Sequence, residues 1–187
     1  MIKIIRYTFF DLIRSSWTYF YLGFYLILSS ILLFLNHDIS KSVITLMNVI
    51  IILIPLISTI FGIMYYYNAR EFIELLLAQP IPRKHIFLGQ YLGISLSLSL
   101  SLIIGLGIPF LLYGLFLSPD IFNFIMLIIT GVFLSFIFVG FSYLIGLYYE
   151  NKIKGFSLAI FIWLFMAVIF DGIFLISFMV FRQYPLD

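Results

Sequence analysis

The chain contains five uninterrupted apolar runs, each long enough to cross a lipid bilayer as a helix. They cover approximately residues 17–35, 43–67, 87–117, 121–149 and 156–181. A helix needs about 20 apolar residues to cross about 30 Å of hydrocarbon. Since 64% of the residues are hydrophobic and the mean hydropathy is +1.22, the sequence predicts an all-α polytopic bundle forming one membrane domain over residues 1–187, and it excludes a soluble globule.

Residues 1–14 precede the first run and combine basic with apolar side chains. Lys3, Arg6 and Arg14 alternate with apolar residues at roughly helical spacing, which favours an interfacial helix on the membrane surface. The apolar positions are Ile2, Ile5, Phe9 and Ile13. No Ala-x-Ala-like cleavage site follows the first run, so this run is interpreted as a retained membrane helix rather than a signal peptide.

The basic residues are sorted by membrane side. With the N-terminus in the cytoplasm, only Lys41 and Arg182 of the ten Lys and Arg residues lie outside. Cytoplasmic loops carry an excess of positive charge, so the sequence predicts a multi-pass protein of the cell inner membrane with a cytoplasmic N-terminus. The formal charge of +2 and this sorting argue for lipid, and against nucleic acid, as a partner.

Residues 70–85, REFIELLLAQPIPRKH, are the one stretch that concentrates charges of both signs. The pattern predicts a short amphipathic helix over residues 69–79, ended by the prolines that follow. Such a helix is too short to cross the bilayer, so it should lie on the cytoplasmic surface and present Glu71 and Glu74 to the cytoplasm. The alternative is a plain amphipathic connector.

The start of this helix carries a capping signature. Asn68 is an N-cap residue type, and Glu71 stands where it would close a capping box. Tyr67 and Phe72 are spaced as a hydrophobic staple. The sequence therefore predicts that Asn68 caps the helix and that Tyr67 packs on Phe72.

The third run contains a row of small residues at every fourth position. The row consists of Gly89, Gly93, Ser97, Ser101 and Gly105. Small residues on one ridge let a second membrane helix approach closely, so this ridge is predicted to be a packing surface. A role of its serines in lining a substrate path is the alternative.

The segment of residues 65–90 resembles the region after the second membrane helix of ABC-2 type transporter permeases. In that family an acidic helix ending in a Leu-Leu-small-x-Pro-x-x-Arg pattern is followed by a glycine at the start of the third span. The matching positions are Glu71, Glu74, Pro80, Arg83 and Gly89.

The resemblance implies a coupling helix that docks on a separate cytoplasmic ABC ATPase subunit, with Arg70, Glu71, Glu74 and Arg83 as the coupling residues. Residues 150–155, ENKIKG, are a second expected contact. The chain has no Gly-x-x-x-x-Gly-Lys-(Ser/Thr) motif, so ATP would be bound by the partner, no cofactor is expected in this chain, and the chain itself is not expected to be an enzyme. A second permease copy would complete the pathway.

Trp163 and Asp171 resemble the NosY-like branch of these permeases, the membrane subunit of the nitrous-oxide-reductase maturation transporter. Residues 184–187, Tyr-Pro-Leu-Asp, resemble that branch's Asn-Pro-x-Asp element except for Tyr184. The branch implies export linked to copper-site maturation and a periplasmic partner. His37 and His85 fall on opposite membrane sides, so no metal site is expected.

Asp171 is the one acid deep inside a predicted span. An ionised carboxylate there costs on the order of 3 kcal/mol, which favours a role in the translocation pathway or a dimer interface. The alternative is a protonated carboxyl bonded to Tyr113, Tyr143 or Ser135. An intramembrane protease is disfavoured because neither Gly-x-Ser-x-Gly nor His-Glu-x-x-His is present.

Two readings from other classes remain beside the permease. The family normally has a sixth span, so the chain is alternatively a truncated, inactive permease. The second alternative is a non-transporting membrane assembly or immunity protein that holds a cytoplasmic partner through residues 69–79.

Overall fold

The computed structural model describes residues 1–36, 38–78 and 81–183, with the side chains at 117, 168, 170, 171 and 174–183 outside the description. Over the described residues the chain is helical and contains no strand. The helices are α1 (Ile2–Arg14), α2 (Ser16–Asn36), α3 (Ile39–Asn68), α4 (Arg70–Leu77), α5 (Arg83–Leu112), α6 (Ile121–Tyr148) and α7 (Lys152–Gln183). A short 3-10 turn, Leu115–Leu117, lies between α5 and α6. The predicted all-α fold is therefore confirmed.

Four helices within the described part are long and apolar enough to cross a membrane. They are α2, α3, α5 and α6, and they correspond to the first four predicted runs. This supports a transmembrane protein. The helix α7 has 32 residues, but its crossing, and with it the count of five spans, stays a prediction.

The third run does not remain one helix to residue 117. The helix α5 ends at Leu112, and Gly114 follows with a φ of 92°. This left-handed conformation is open to glycine and strained for other residues. The turn directs the chain into Leu115–Leu117 and then towards α6, so the helix ends five residues before the predicted end of this run.

The core forms where α2, α3, α5 and α6 meet. Tyr25, Ile54, Leu102 and Leu127 are all fully buried there. The most extensive helix–helix contact joins α3 to α6. Within this contact, Gly62 lies directly against Ser142. Because Gly62 has no side chain, the two backbones approach closely.

The small-residue ridge of α5 lies against α1 and α2. A Cβ added to Gly89 would lie 2.9 Å from Ile4, and one added to Gly93 would lie 2.7 Å from Thr8. Further along the ridge, Gly105 lies against Tyr25 of α2. The other ridge members, Ser97 and Ser101, are buried.

The helix α1 packs lengthwise on the first part of α5. Contacts from Ile4 to Gly89 and from Thr8 to Gly93 advance by four residues on both helices, so the two axes run in the same direction. The side chains that α1 buries are Thr8 and Leu12, whereas Ile2 is 79% exposed. The face predicted from the apolar residues is thus only partly the packed face. An interfacial position of α1 stays a prediction.

Candidate docking surface at the basic end

Four segments meet at one end of the bundle, and all of them except α4 carry clustered basic residues. Tyr7 of α1 stacks on Phe72 of α4, with ring centroids 5.1 Å apart. The ammonium of Lys152, at the start of α7, donates to Asn68 Oδ1 at 3.2 Å. These contacts join α1 to α4 and the start of α7 to the end of α3, and Gly89 near the start of α5 packs on Ile4 of α1. This end of the bundle is called the basic end below.

The helix α4 lies across the basic end with one face buried and one exposed. Ile73 is 4% exposed and Phe72 packs on α1. On the opposite face Glu71, Glu74 and Leu75 are exposed, and Leu75 is 68% exposed. The spacing of three and four residues places these three side chains on one helix face. The structure thus offers two carboxylates and a leucine together.

The predicted cap and staple of α4 are wrong. Asn68 is the last residue of α3, and Ala69 alone separates the two helices without a side-chain capping bond. The hydroxyl of Tyr67 donates to the backbone of the α6–α7 connection, and Phe72 packs on Tyr7 instead. The helix also ends at Leu77, so it is shorter than the predicted residues 69–79.

Arg70 joins α4 to the α6–α7 connection. Its Nε lies 3.2 Å from Glu74 Oε1, and its Nη1 donates to the carbonyl of Glu150 at 3.1 Å. The two paired side chains are 43% and 63% exposed, so the ion pair itself adds little stability. Its structural effect is to hold Glu74 and the connection in one surface.

Large apolar side chains extend this surface beyond α4. Tyr148 is 80% exposed and Ile153 is 76% exposed, and both flank the segment that Arg70 contacts. They lie at the charged end of the molecule, on either side of Glu150 and Lys152. Exposed apolar residues rimmed by charges are typical of protein interaction sites. The surface of α4 and residues 148–154 is called the docking surface below.

Three consecutive tyrosines at the end of α3 connect it to three neighbours. The hydroxyl of Tyr65 donates to Asp11 of α1 at 3.2 Å. Tyr66 makes an edge contact with Tyr143 of α6, with centroids 5.5 Å apart. Tyr67 donates to the carbonyl of residue 149 at 2.7 Å. Sequence reasoning missed these connections, although a triple tyrosine at a polar helix end was the available signal.

Arg83 lies on a different helix from the other three predicted coupling residues. It begins α5 and lines a groove between α5 and α6 together with Lys84. Arg70, Glu71 and Glu74 share α4, so the structure brings three of the four predicted residues together.

The side chain of Asp171 lies outside the described residues, although its backbone belongs to α7. Two of its three expected partners make other hydrogen bonds: Tyr143 donates to Gln90 Oε1 at 3.4 Å, and Ser135 donates to the carbonyl of residue 131 at 2.9 Å. Trp163 of the same helix donates from its indole to the carbonyl of residue 52 in α3 at 3.2 Å.

The described residues contain no group of three or more His, Cys, Asp or Glu side chains that could hold a metal ion. His85 lies in the first turn of α5, and His37 is outside the description. No family model matches this chain, and a search of the curated proteins found no match.

Proposed function

We propose that this chain is the membrane subunit of an ABC-2 type transporter, with the docking surface as the contact for a separate cytoplasmic ATPase. The observation that carries the proposal is the exposed carboxylate and leucine face of α4, held against the α6–α7 connection by Arg70. In this proposal two copies form the transporter and ATP binds to the partner. A more specific version of the proposal is that the export is linked to copper-site maturation.

The connections of α4 are suited to transmitting a movement. One residue separates α4 from α3, Phe72 contacts α1, and Arg70 contacts the segment that leads into α7. A partner that displaces α4 therefore acts on three helices of the bundle at once. A flexible connector would absorb the displacement instead, since it would lack these contacts.

Charge reversal on α4 tests the proposal. The tagged chain is purified from its native cells in lipid nanodiscs, and vanadate-sensitive ATP hydrolysis is measured. We expect Glu71→Lys with Glu74→Lys to lower the associated hydrolysis by about tenfold or more. Replacing an important interface residue typically costs more than about 1 kcal/mol of binding free energy, and this variant replaces two. The exposed ion pair of Glu74 adds about 0.2–1 kcal/mol, so membrane insertion should persist.

Lys41→Glu is the matched control, since it reverses an exposed charge at the opposite end of α3. It should leave ATP hydrolysis unchanged. Full hydrolysis in the α4 variant would refute the docking role. A wild-type chain that retains a cytoplasmic protein without ATP hydrolysis would refute transport and favour an assembly or immunity protein.

A further inference from the structure

Two cations without a carboxylate partner stand at the mouth of the groove between α5 and α6. Arg83 and Lys84 are both exposed and lie in the first turn of α5. The one ion pair within the described part of the chain joins Arg70 to Glu74. Neither cation of the groove is therefore neutralised by a described carboxylate of this molecule.

Below these cations the groove is apolar. It has a volume of about 450 Å³, and it follows α5 from Arg83 to Tyr91, a rise of about 12 Å at 1.5 Å per residue. The apolar lining consists of Phe87, Leu88, Tyr91, Gly140, Tyr143, Leu144 and Leu147. Leu144 is 64% exposed, so the groove opens to the side of the bundle.

The floor of the groove is formed by fixed aromatic rings beside a glycine. The hydroxyl of Tyr91 donates to the carbonyl of Phe136 at 3.2 Å, and Tyr143 donates to the buried Gln90. A Cβ added to Gly140 would lie 3.5 Å from the ring of Tyr91. An alanine therefore fits at position 140, whereas a longer side chain must enter the groove.

We propose that this groove binds one anionic phospholipid, with the phosphate between Arg83 and Lys84 and an acyl chain along Gly140 and Leu144. The cations supply charge complementarity to the headgroup, and the groove below them buries hydrocarbon. A helix of a second copy could fill the apolar part of the groove. It would leave Arg83 and Lys84 without a counter-charge unless it placed an acidic side chain at their level. The inference does not depend on the proposed function.

Lipid retention measures the headgroup contact. The chain is purified in detergent, freed of native lipid and mixed with phosphatidylglycerol or phosphatidylcholine, and bound lipid is counted by native mass spectrometry. We expect one phosphatidylglycerol to be retained in preference to phosphatidylcholine. Arg83→Gln with Lys84→Gln should weaken this binding about 30-fold, at about 1 kcal/mol per charge.

Lys3→Gln with Arg14→Gln is the charge control, since it removes the same charge from two exposed residues of α1 that lie outside the groove. It should leave retention unchanged. An equal loss in this control would show non-specific attraction and overturn the proposal. Complete displacement of the lipid by inorganic phosphate would also overturn it, because the groove would then contribute no binding.

A second pair of variants tests the groove with both cations intact. Gly140→Leu should fill it and lower phosphatidylglycerol retention, whereas Gly140→Ala should retain the lipid. If Gly140→Leu leaves retention intact, the acyl chain does not occupy the groove. If it changes the oligomeric state instead of lipid retention, the occupant is a second copy, and the proposal is wrong.

Discussion

The close contact between α3 and α6 predicts a large cost for one added methyl group at Gly62. A Cβ there would fall on the hydroxyl oxygen of Ser142, and it would lie 3.1 Å from Ser142 Cβ and 3.4 Å from Val139 Cα. The Ser142 hydroxyl donates to the carbonyl of Val139 at 2.7 Å, and both residues are buried. Rotating the hydroxyl away would lose this bond and leave the Cβ contact in place.

The magnitude follows from three contributions to the free energy of unfolding of Gly62→Ala. Overpacking costs about 1–3 kcal/mol, and the lost hydrogen bond costs about 0.6 kcal/mol within a membrane. Replacing glycine by alanine in a helix returns about 0.5–1 kcal/mol. We therefore expect a net destabilisation of about 0.6–3 kcal/mol, measured by unfolding from mild detergent into dodecyl sulfate and followed by circular dichroism.

Two further variants make this test specific. Gly107→Ala in α5 is the control, because no atom lies within 4 Å of a Cβ at that position; its stability should be unchanged or slightly raised. Gly62→Ala with Ser142→Gly removes the colliding side chain and should recover most of the loss. Wild-type stability of Gly62→Ala, to within about 0.3 kcal/mol, would refute the reasoning, as would a Ser142→Gly combination that restores nothing.

Two predictions concern the contacts that fix the docking surface. Tyr67→Phe removes the 2.7 Å bond to the carbonyl of Tyr149, so amide hydrogen exchange in the α6–α7 connection should rise by about fivefold, equivalent to about 1 kcal/mol of local stability; unchanged exchange would contradict the bond's role. Phe72→Ala removes the stack on Tyr7, worth about 0.5–1.5 kcal/mol beyond the buried area, so limited proteolysis should cut α4 faster. An α4 cut at the wild-type rate would contradict that contact.

The apolar runs predicted the positions of α2, α3 and α6 to within a few residues. Hydropathy succeeds here because a membrane helix must be long, apolar and internally hydrogen-bonded. The same argument failed at the end of α5, where residues 113–117 are apolar but leave the helix at Gly114. Apolar character indicates that a segment can lie in hydrocarbon, but it does not indicate where the helix ends. That end depends on the left-handed backbone conformation of one glycine.

At the candidate site, the acidic face of α4 was predictable and its attachment was not. The charges of Glu71 and Glu74 and their spacing are local properties of the sequence. The cap predicted at Asn68 failed because α3 continues through this residue, which accepts from Lys152 instead. Contacts between residues 80 positions apart, such as Arg70 to the carbonyl of Glu150, have no local signal.

The triple tyrosine of α3 restricts how this helix can move. Successive residues of an α-helix point about 100° apart, so Tyr65, Tyr66 and Tyr67 fix the angular setting of α3 from three sides. Rotation of α3 about its long axis would break all three contacts together, whereas tilting α3 together with its neighbours would preserve them. A force applied through α4 would therefore tilt α3 together with α1 and α6 at the basic end.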